Sequence, residues 1–243
     1  MRINKLLSNY GYCSRKEANR LLEAGRININ GLPGIPGQWV EETDDLLLDG
    51  LPLQPQEKIY LAYHKPPGVV CTLSPFARDN LLLNLSLPKY VFPVGRLDKD
   101  SRGLLLLTND GDWAHHLLSD EHHVEKEYAV TVDRPLTESF ALAMAEGVDI
   151  LGTRTRPCTV TLTGTHTFSI ILTQGLNRQI RRMAFALGYT VTDLQRVRMA
   201  KILLDNLPEG ECRSLSKEEL HPLPAENPKE GEILPEGSST PLE

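Results

Sequence analysis

A short charged segment that leads directly into four leucines constrains this chain more than any other part of it. Residues 95–103 contain three bases and two acids between two glycines, and the apolar run Leu104–Leu107 follows at once. An apolar run of this length, bounded by turn residues, is typical of a strand that is buried on both faces. The sequence therefore predicts a core strand that begins at a charged loop.

The charged loop is a candidate functional site, because a core strand would hold its side chains in fixed positions. A carboxylate flanked by Arg96 and Lys99 is expected to stay ionised, since nearby positive charge favours the charged form. Such a group suits an anionic nucleophile or a general base. The alternative, on spacing alone, is a solvated loop with incidental ion pairs that contribute little.

The distribution of charge, rather than its total, indicates a nucleic-acid partner. The net charge is −6, but residues 205–243 contribute −7 and residues 1–204 carry +1. Residues 1–30 hold six bases and two acids, and residues 175–201 hold six bases and one acid. Two basic islands on a near-neutral body suit the phosphate backbone of a nucleic acid. Each island alone is also compatible with a solvated helix face.

Several other classes of protein are disfavoured by the sequence. Its apolar runs are far shorter than a membrane span, and no apolar signal region follows the charged N-terminus. The four cysteines are scattered, which favours reduced thiols in the cytoplasm over disulfides or a zinc site. No nucleotide-binding glycine loop is found. We therefore expect a cytoplasmic protein without membrane contact, metal or nucleotide cofactor.

The first thirty residues are predicted to form two short helices and a strand. Ser14, with Glu17 three residues later, is a capping-box pattern. Residues 27–29 alternate as in a short strand, and a hairpin-type turn follows at Asn30-Gly31. This segment resembles the S4 RNA-binding module over residues 2–31. The residues that follow lack the usual base and are acidic, so the resemblance implies RNA contact through the helices, at Lys5, Arg15, Lys16 and Arg20.

The rest of the chain is predicted to be rich in strands. Beyond a polar, proline-bearing segment, the predicted strands are 59–63, 69–72, 125–132, 168–172 and 194–204, with a turn at 64–68 between the first two. Alternation places Tyr128 on one face with Val130 and Val132. From the pattern alone, an aromatic ring there is an ordinary cross-strand residue.

Two arginine-bearing segments lie near the end of this region. Residues 174–183 are predicted to pass from a strand into a helix, where arginines and helix N-terminal amides can bind anions. Arg196, Arg198 and Lys201 recur along the last strand. They form either a basic strip or a solvated strand face.

Four segments, taken in order, resemble the RNA pseudouridine synthases of the branch that contains RsuA, RluB, RluE and RluF. They are Lys65-Pro66 with Gly68, Gly95–Asp98 with Ser101 and Gly103, Lys126-x-Tyr128, and Gln174–Met183. The resemblance runs from Arg2 to about Leu220. Within the branch, three segments are most similar to RluF, which acts on 23S ribosomal RNA: Arg78–Asn80, Leu151–Thr153 and Gln174–Asn177.

The resemblance implies an α+β fold with two domains. Residues 1–53 would form a small S4-like domain of a helix pair and strands, and residues 54–58 a linker. Residues 59–221 would form a pseudouridine synthase domain with a central, mainly antiparallel sheet. Residues 222–243 are acidic and rich in Pro, Gly and Ser, and are predicted to be disordered.

The resemblance also implies roles for single residues. Asp98 would be the catalytic carboxylate, Tyr128 would pack on the target base, and Arg181 would pair with Asp98. The implied substrate or RNA contacts are Lys5, Arg15, Lys16, Arg20, Lys65, Arg96, Asn177, Arg178, Gln179 and Arg182. The reaction is an isomerisation within one nucleotide, so it implies no metal and no cofactor.

The implied partner is ribosomal RNA, with 23S RNA or a pre-ribosomal particle as the expected substrate and 16S RNA or tRNA as alternatives. The protein is expected to be a monomer. The competing hypothesis is a non-catalytic ribosome assembly factor that kept the fold and lost the chemistry. The joint presence of Asp98, Tyr128 and Arg181 disfavours it.

Overall fold

A computed structural model describes residues 1–41, 43–73, 77–81, 85 and 90–220 of the chain. The predicted disordered tail, residues 222–243, lies outside the described residues. Among the described residues, no helix combines the length and apolar character needed to cross a bilayer.

The N-terminal part pairs two helices with a small sheet. Helix α1 is Ile3–Asn9 and helix α2 is Arg15–Glu23. The four strands lie in the order β2-β1-β3-β4, and Ile3, Leu7 and Ile27 are fully buried between the helices and the sheet. The strands are β1 Ile27–Ile29, β2 Leu32–Pro33, β3 Leu46–Leu48 and β4 Leu51–Pro52.

Local sequence signals explain how this part begins and turns. The Ser14 hydroxyl accepts a hydrogen bond from the Glu17 backbone amide at 3.1 Å, so the predicted cap of α2 is present. Asn30 and Gly31 have φ values of 51° and 78°. Two successive left-handed residues are the geometry of the tight hairpin turn that Asn-Gly predicts.

A nine-stranded sheet forms the second part, with β11-β12-β8-β13-β7-β5-β15 as its main path. Strand β14 pairs with β13, and β6 pairs with β7. Every pairing is antiparallel except that of β7 with β13. The strands are β5 Tyr60–Lys65, β6 Phe92–Val94, β7 Arg102–Thr108, β8 Lys126–Val132, β11 Thr159–Leu162, β12 Thr167–Leu172, β13 Val191–Met199, β14 Ile202–Leu203 and β15 Cys212–Ser214.

Helices and a hairpin flank this sheet. The hairpin consists of β9 Asp149–Ile150 and β10 Thr153–Arg154. A 3₁₀ turn, Asp120–His122, precedes β8. The helices are α3 Gly111–Leu118, α4 Glu138–Ala145, α5 Gln179–Ala186 and α6 Lys217–Leu220.

Strand β7 is buried on both faces, as its four leucines predict. Leu104 and Leu106 pack on one side with Ala62, Val94 and the helix α3 residue Leu117. Leu105 and Leu107 face the other side, in a cluster that includes Tyr63, Val69 and Leu97. All four leucines are 0–1% exposed. The start of this strand, where the charged loop joins it, is therefore fixed from both sides.

The parallel pair of β7 and β13 requires glycine at residue 103. Gly103 lies opposite Arg196 in the pairing and has a φ of +108°. A Cβ atom on Gly103 would lie 2.3 Å from the Arg196 carbonyl oxygen and 2.5 Å from its amide nitrogen. Only a residue without a side chain allows the two backbones to approach this closely.

Two predicted strands differ from the structure. Residues 69–72 form no strand, and Val70 makes only an isolated parallel bridge with Asn80. The predicted strand 194–204 begins earlier and divides into β13 and β14. The pairing of β13 with β8 shifts between Arg196 and Arg198, as at a β-bulge. Sequence alternation does not reveal such a shift, because a bulge inserts one residue and reverses the faces beyond it.

The segment before β5 packs against the first helices and the far end of β7. The Gln56 amide donates to the Tyr10 carbonyl at 2.9 Å, and the Lys58 ammonium donates to the Asn9 carbonyl at 2.9 Å. Asn109, directly after β7, accepts from the Ile59 amide at 2.8 Å and donates to the Glu57 carbonyl at 2.9 Å. These bonds join the N-terminal helices to the central sheet.

Candidate active site

The charged loop lies at the edge of the central sheet, between β6 and β7, and lines a cleft of about 670 Å³. Clefts of this size are typical of small-molecule and nucleotide sites. Asp98 and Arg96 line the cleft from the loop, Tyr128 lines it from β8, and Arg178 lines it from the start of α5. The structure thus brings together residues from three predicted motifs.

Lys65 anchors this loop from beneath. Its side chain is 0% exposed, and its ammonium donates to the carbonyls of Pro66, Lys99 and Ser101 at 2.9, 3.3 and 2.7 Å. Burial lowers the pKa of this lysine. The predicted contact of Lys65 with RNA is therefore wrong, because its ammonium is enclosed by the backbone of the loop that bears Asp98.

Lys65→Met is expected to lower the single-turnover rate by about 100-fold or more, because small misplacement of a reacting group has effects of that size. The free energy of unfolding should fall by about 1–3 kcal/mol, since methionine fills a similar volume but leaves three carbonyls without a donor. Removal of a buried charge limits that loss. Urea unfolding and single-turnover kinetics would measure the two effects.

Lys99→Met is the matched control for this prediction. Lys99 lies on the same loop but is exposed and pairs with Asp79 at 3.0 Å. Exposed pairs contribute little, so its unfolding free energy should change by less than about 0.5 kcal/mol. Similar losses in the two variants would contradict the anchoring role of Lys65.

Arg178 is the arginine that approaches the candidate carboxylate. Its Nη1 atom lies 3.9 Å from Asp98 Oδ2, and its two terminal nitrogens donate to the carboxylate of Asp100 at 3.1 Å each. Those bonds hold the pKa of Asp100 below its usual value. Arg178 itself caps α5 in the left-handed region, with φ 51° and ψ 35°. Such a conformation is uncommon for a residue other than glycine and tends to persist at functional sites.

Arg181 contacts the loop backbone instead of Asp98. Its Nη2 donates to the Asp100 carbonyl and to the Ser101 hydroxyl, both at 3.2 Å, and its Nη1 donates to the Val191 carbonyl at 3.1 Å. The predicted pair of Arg181 with Asp98 is thus absent from the ion pairs of the described residues, where Asp98 pairs with Arg178. The reason is the left-handed turn at Arg178, which aims that earlier arginine at the loop.

Tyr128 has two cationic neighbours that the resemblance did not assign. Arg196 of β13 lies directly opposite Tyr128 in the antiparallel pairing, and Lys126 lies two residues before it on β8. Residues in these positions share one face of the sheet. Both line the cleft. The alternation along β8 already places Lys126 on the same face as Tyr128 in the sequence. That Arg196 is a neighbour of Tyr128 could be seen only from the pairing of β13 with β8.

The remaining predicted contacts are all exposed except Gln179. Arg96 is exposed at the cleft, and Asn177 and Arg182 are exposed and bonded to each other at 3.3 Å. Gln179 is only 5% exposed, and its amide oxygen accepts from the Leu176 amide, so it holds the turn before α5. The N-terminal cations all lie on the exposed surface of α1 and α2: Lys5, Arg15, Lys16 and Arg20.

The last strand shows neither of the two alternatives left open for it, a basic strip or a solvated strand face. Arg196 is 3% exposed, whereas Arg198 pairs with Glu125 and Glu127 at 3.0 and 2.9 Å. The bulge between the two arginines sets Arg198 opposite Glu127 instead of beside Arg196. Arg196 therefore lies buried at the cleft, whereas Arg198 forms ion pairs outside the cleft lining.

Two family profiles match the chain. Residues 59–186 match the family described as RNA pseudouridylate synthase, and residues 1–33 match the S4 domain. The first match includes the charged loop, β8 and the start of α5.

Similar proteins have been described across nearly the whole length of the chain. It is 44% identical over 223 residues to the dual-specificity RNA pseudouridine synthase RluF of Escherichia coli (strain K12), covering 90% of this chain and 77% of that protein. It is 36% identical to the ribosomal small subunit pseudouridine synthase A of Pasteurella multocida, covering 90% and 98%. A crystal structure of a pseudouridylate synthase superposes with a TM-score of 0.68 and 30% identity, covering 92% of this chain and 99% of that one.

Proposed function

We propose that this chain, which belongs to the RNA pseudouridylate synthase family, isomerises a uridine of 23S ribosomal RNA with Asp98 as its catalytic carboxylate. The predicted family and the predicted α+β fold class are both confirmed, and the protein is an RNA pseudouridine synthase. The choice of RNA and the roles of single residues are our inference.

The position of Asp98 is the observation that supports its catalytic role. Its side chain is 28% exposed in the cleft, with Arg178 3.9 Å away. The loop that carries it is fixed by backbone contacts from Lys65 and Arg181, which leave the carboxylate itself free to meet a substrate. A positioned, partly exposed carboxylate can act as a nucleophile or a base.

The reaction moves one bond within one nucleotide. The N1–C1′ bond of uridine breaks, the detached ring turns, and a new bond forms between C5 and C1′. The proton on C5 is lost and N1 gains a proton, so no oxidant, reductant or other reactant is consumed. Asp98 acts in this scheme either by adding to the pyrimidine or sugar as a nucleophile, or by taking a proton from the sugar. Tyr128 packs on the target base after that base leaves its stack.

The three segments that resemble RluF, given above as an enzyme of 23S ribosomal RNA, support 23S RNA as the substrate. The dual specificity in the name of the 44% identical relative supports a second RNA, for which we propose tRNA. The similarity to a small-subunit enzyme makes 16S RNA the alternative. The exposed cations of α1 and α2 support docking of structured RNA by the N-terminal part, with binding that weakens as salt rises. We assign residues 1–53 to this docking domain and residues 59–221 to the catalytic one.

Tritium release from RNA labelled at C5 of uridine tests the proposed function. Purified protein without added cofactor should release tritium from 23S transcripts, and sequencing should find one modified position. The 16S transcripts and tRNA are run in parallel. Release from 16S RNA alone would contradict the choice of substrate, and bound RNA without release from any of the three would favour an assembly factor.

A further inference from the structure

We propose that Arg196 and Lys126 form a cation pair that stabilises the negative charge developing on the uracil ring while its bond to the sugar is exchanged. This inference rests on the proposed function, because it places the uracil of the target uridine beside Tyr128. It assigns an electrostatic role to two side chains that take no part in the contacts among Asp98, Arg178 and Arg181.

The sheet register places both cations where the ring would lie. Arg196 is the direct cross-strand partner of Tyr128, so their Cβ atoms lie about 5 Å apart on one face. Lys126 shares that face because it is two residues away on the same strand. All three side chains line the cleft that also contains Asp98. A uracil ring packed on Tyr128 would therefore lie within reach of both cations.

Arg196 retains unused hydrogen-bonding capacity at this position. Its Nε donates to the Leu104 carbonyl at 2.7 Å, which fixes the guanidinium against β7. Its Nη2 is buried and has no hydrogen-bond partner within the described ranges. Unsatisfied donors of buried groups are costly, and their presence in a folded protein calls for a reason. A ligand oxygen arriving in the cleft would supply the missing acceptor.

Lys126 adds a second positive charge beside the partly unpaired guanidinium of Arg196. Its ammonium donates to the Val124 carbonyl at 2.9 Å, and neither it nor Arg196 forms an ion pair with a carboxylate in the part of the chain that the structure describes. Burial, and then the charge of Arg196, lower the pKa of Lys126. The carboxylate Asp120 lines the same cleft and opposes this lowering of the pKa, but it is bonded to Arg156 at 2.9 Å. Two neighbouring cations whose nearby carboxylate is already bonded to a third cation favour binding of an anion.

The reaction generates an anion at this place by either route of catalysis. If the N1–C1′ bond breaks first, its electron pair stays on the ring, and the charge spreads over N1, O2 and O4. If Asp98 first adds to C6, the ring becomes an enolate with its charge on O4. On the first route, the ring anion then bonds to C1′ through C5, loses the C5 proton and gains a proton at N1. On the second route, C5 of the enolate bonds to C1′ as the N1–C1′ bond breaks, N1 gains a proton, and loss of the C5 proton expels the Asp98 carboxylate from C6. Cations placed where charge develops lower the barrier most when water is excluded.

Single-turnover kinetics on two matched RNAs test the cation pair. One RNA carries uridine and the other carries 5-fluorouridine at the target position, and loss of the N1–C1′ linkage is followed after nuclease digestion. Fluorine withdraws electrons and stabilises the ring anion without help from the protein. Arg196→Gln should slow the uridine substrate by about 100-fold, with a loss at least about fivefold smaller for 5-fluorouridine. Lys126→Met should show the same pattern, and Arg196→Lys should recover part of the rate.

Arg198→Gln is the matched control, because Arg198 lies on the same strand but pairs with glutamates away from the cleft. Its effect should be the same factor for both RNAs. The cation pair would be overturned if Arg196→Gln and Lys126→Met slowed the uridine and 5-fluorouridine RNAs by equal factors while the wild-type protein is active. A purely structural loss does not depend on how well the ring itself stabilises its negative charge. A wild-type protein that modifies none of the RNAs would overturn the proposed function itself.

Discussion

Asp98→Asn is expected to slow pseudouridine formation in a single turnover by at least about 10⁴-fold, which is the scale of losing an essential catalytic group. Asparagine has nearly the same shape but cannot serve as the nucleophile or accept the proton. Among the residues that the structure describes, the one ion pair of the Asp98 carboxylate is the 3.9 Å contact with Arg178, so RNA affinity and the free energy of unfolding should change little. Filter binding, urea unfolding and tritium release would separate these quantities.

Asp100→Asn is the control for this substitution, because it makes the same change two residues away on the same loop. Asp100 is the carboxylate that binds Arg178 through two hydrogen bonds. Its loss should misplace the loop and slow the reaction by at most about 100-fold. Retained turnover in Asp98→Asn, or a larger loss in Asp100→Asn, would show that the two carboxylates have been assigned the wrong roles.

Gly103→Ala is expected to lower the free energy of unfolding by about 4 kcal/mol or more, a loss that single substitutions rarely cause. The new Cβ would overlap the backbone of Arg196 at 2.3 and 2.5 Å, and the φ of +108° is one that alanine rarely adopts. Relief of the overlap would part β7 from β13 at the centre of the sheet. Urea unfolding of the purified variant, or its failure to accumulate in soluble form, would measure the effect.

Gly152→Ala separates the two causes of that loss. Gly152 also has a positive φ, +74°, but a Cβ atom there meets nothing within 4 Å. This control therefore carries backbone strain alone and should cost about 1–2 kcal/mol. Similar losses at both positions would mean that the close approach of β7 and β13 contributes little.

Local patterns predicted the parts of the fold that depend on burial and turns. The run Leu104–Leu107 indicates a strand buried on both faces, and the structure confirms it. The Ser14 cap and the Asn30-Gly31 turn were equally readable, because each depends on the chemistry of adjacent residues. The segments that carry the family resemblance also place Asp98, Tyr128 and Arg178 at one cleft.

The contacts of Arg178 and Lys65 could not be predicted from the sequence, because they depend on the three-dimensional course of the backbone around them. The turn of Arg178 into the left-handed region gives it, instead of Arg181, the contact with Asp98, and nothing in the local sequence marks that change. Lys65 is in a motif shared with the family, but its burial under the loop follows from the carbonyls that surround it.

The bulge in β13 had a larger effect on the predicted site. It places Arg198 on the opposite face of the sheet from Arg196. Arginines two residues apart in the sequence therefore do not lie side by side. Register between strands is set by pairing across the sheet, and the pairing of β13 with β8 is what identifies Arg196 as a neighbour of Tyr128.

Strand β7 also fixes the distance between the cleft and the N-terminal helices. One end of it carries the Asp98 loop, and the other end, at Asn109, is bonded to the segment that holds the N-terminal helices. The strand Arg102–Thr108 spans about 20 Å at 3.3 Å per residue. RNA gripped by those helices would present to the cleft only a nucleotide at a set distance from the grip. Under the proposed docking, the place of a uridine in the folded RNA would select the target, and base sequence would act chiefly through the shape that it produces.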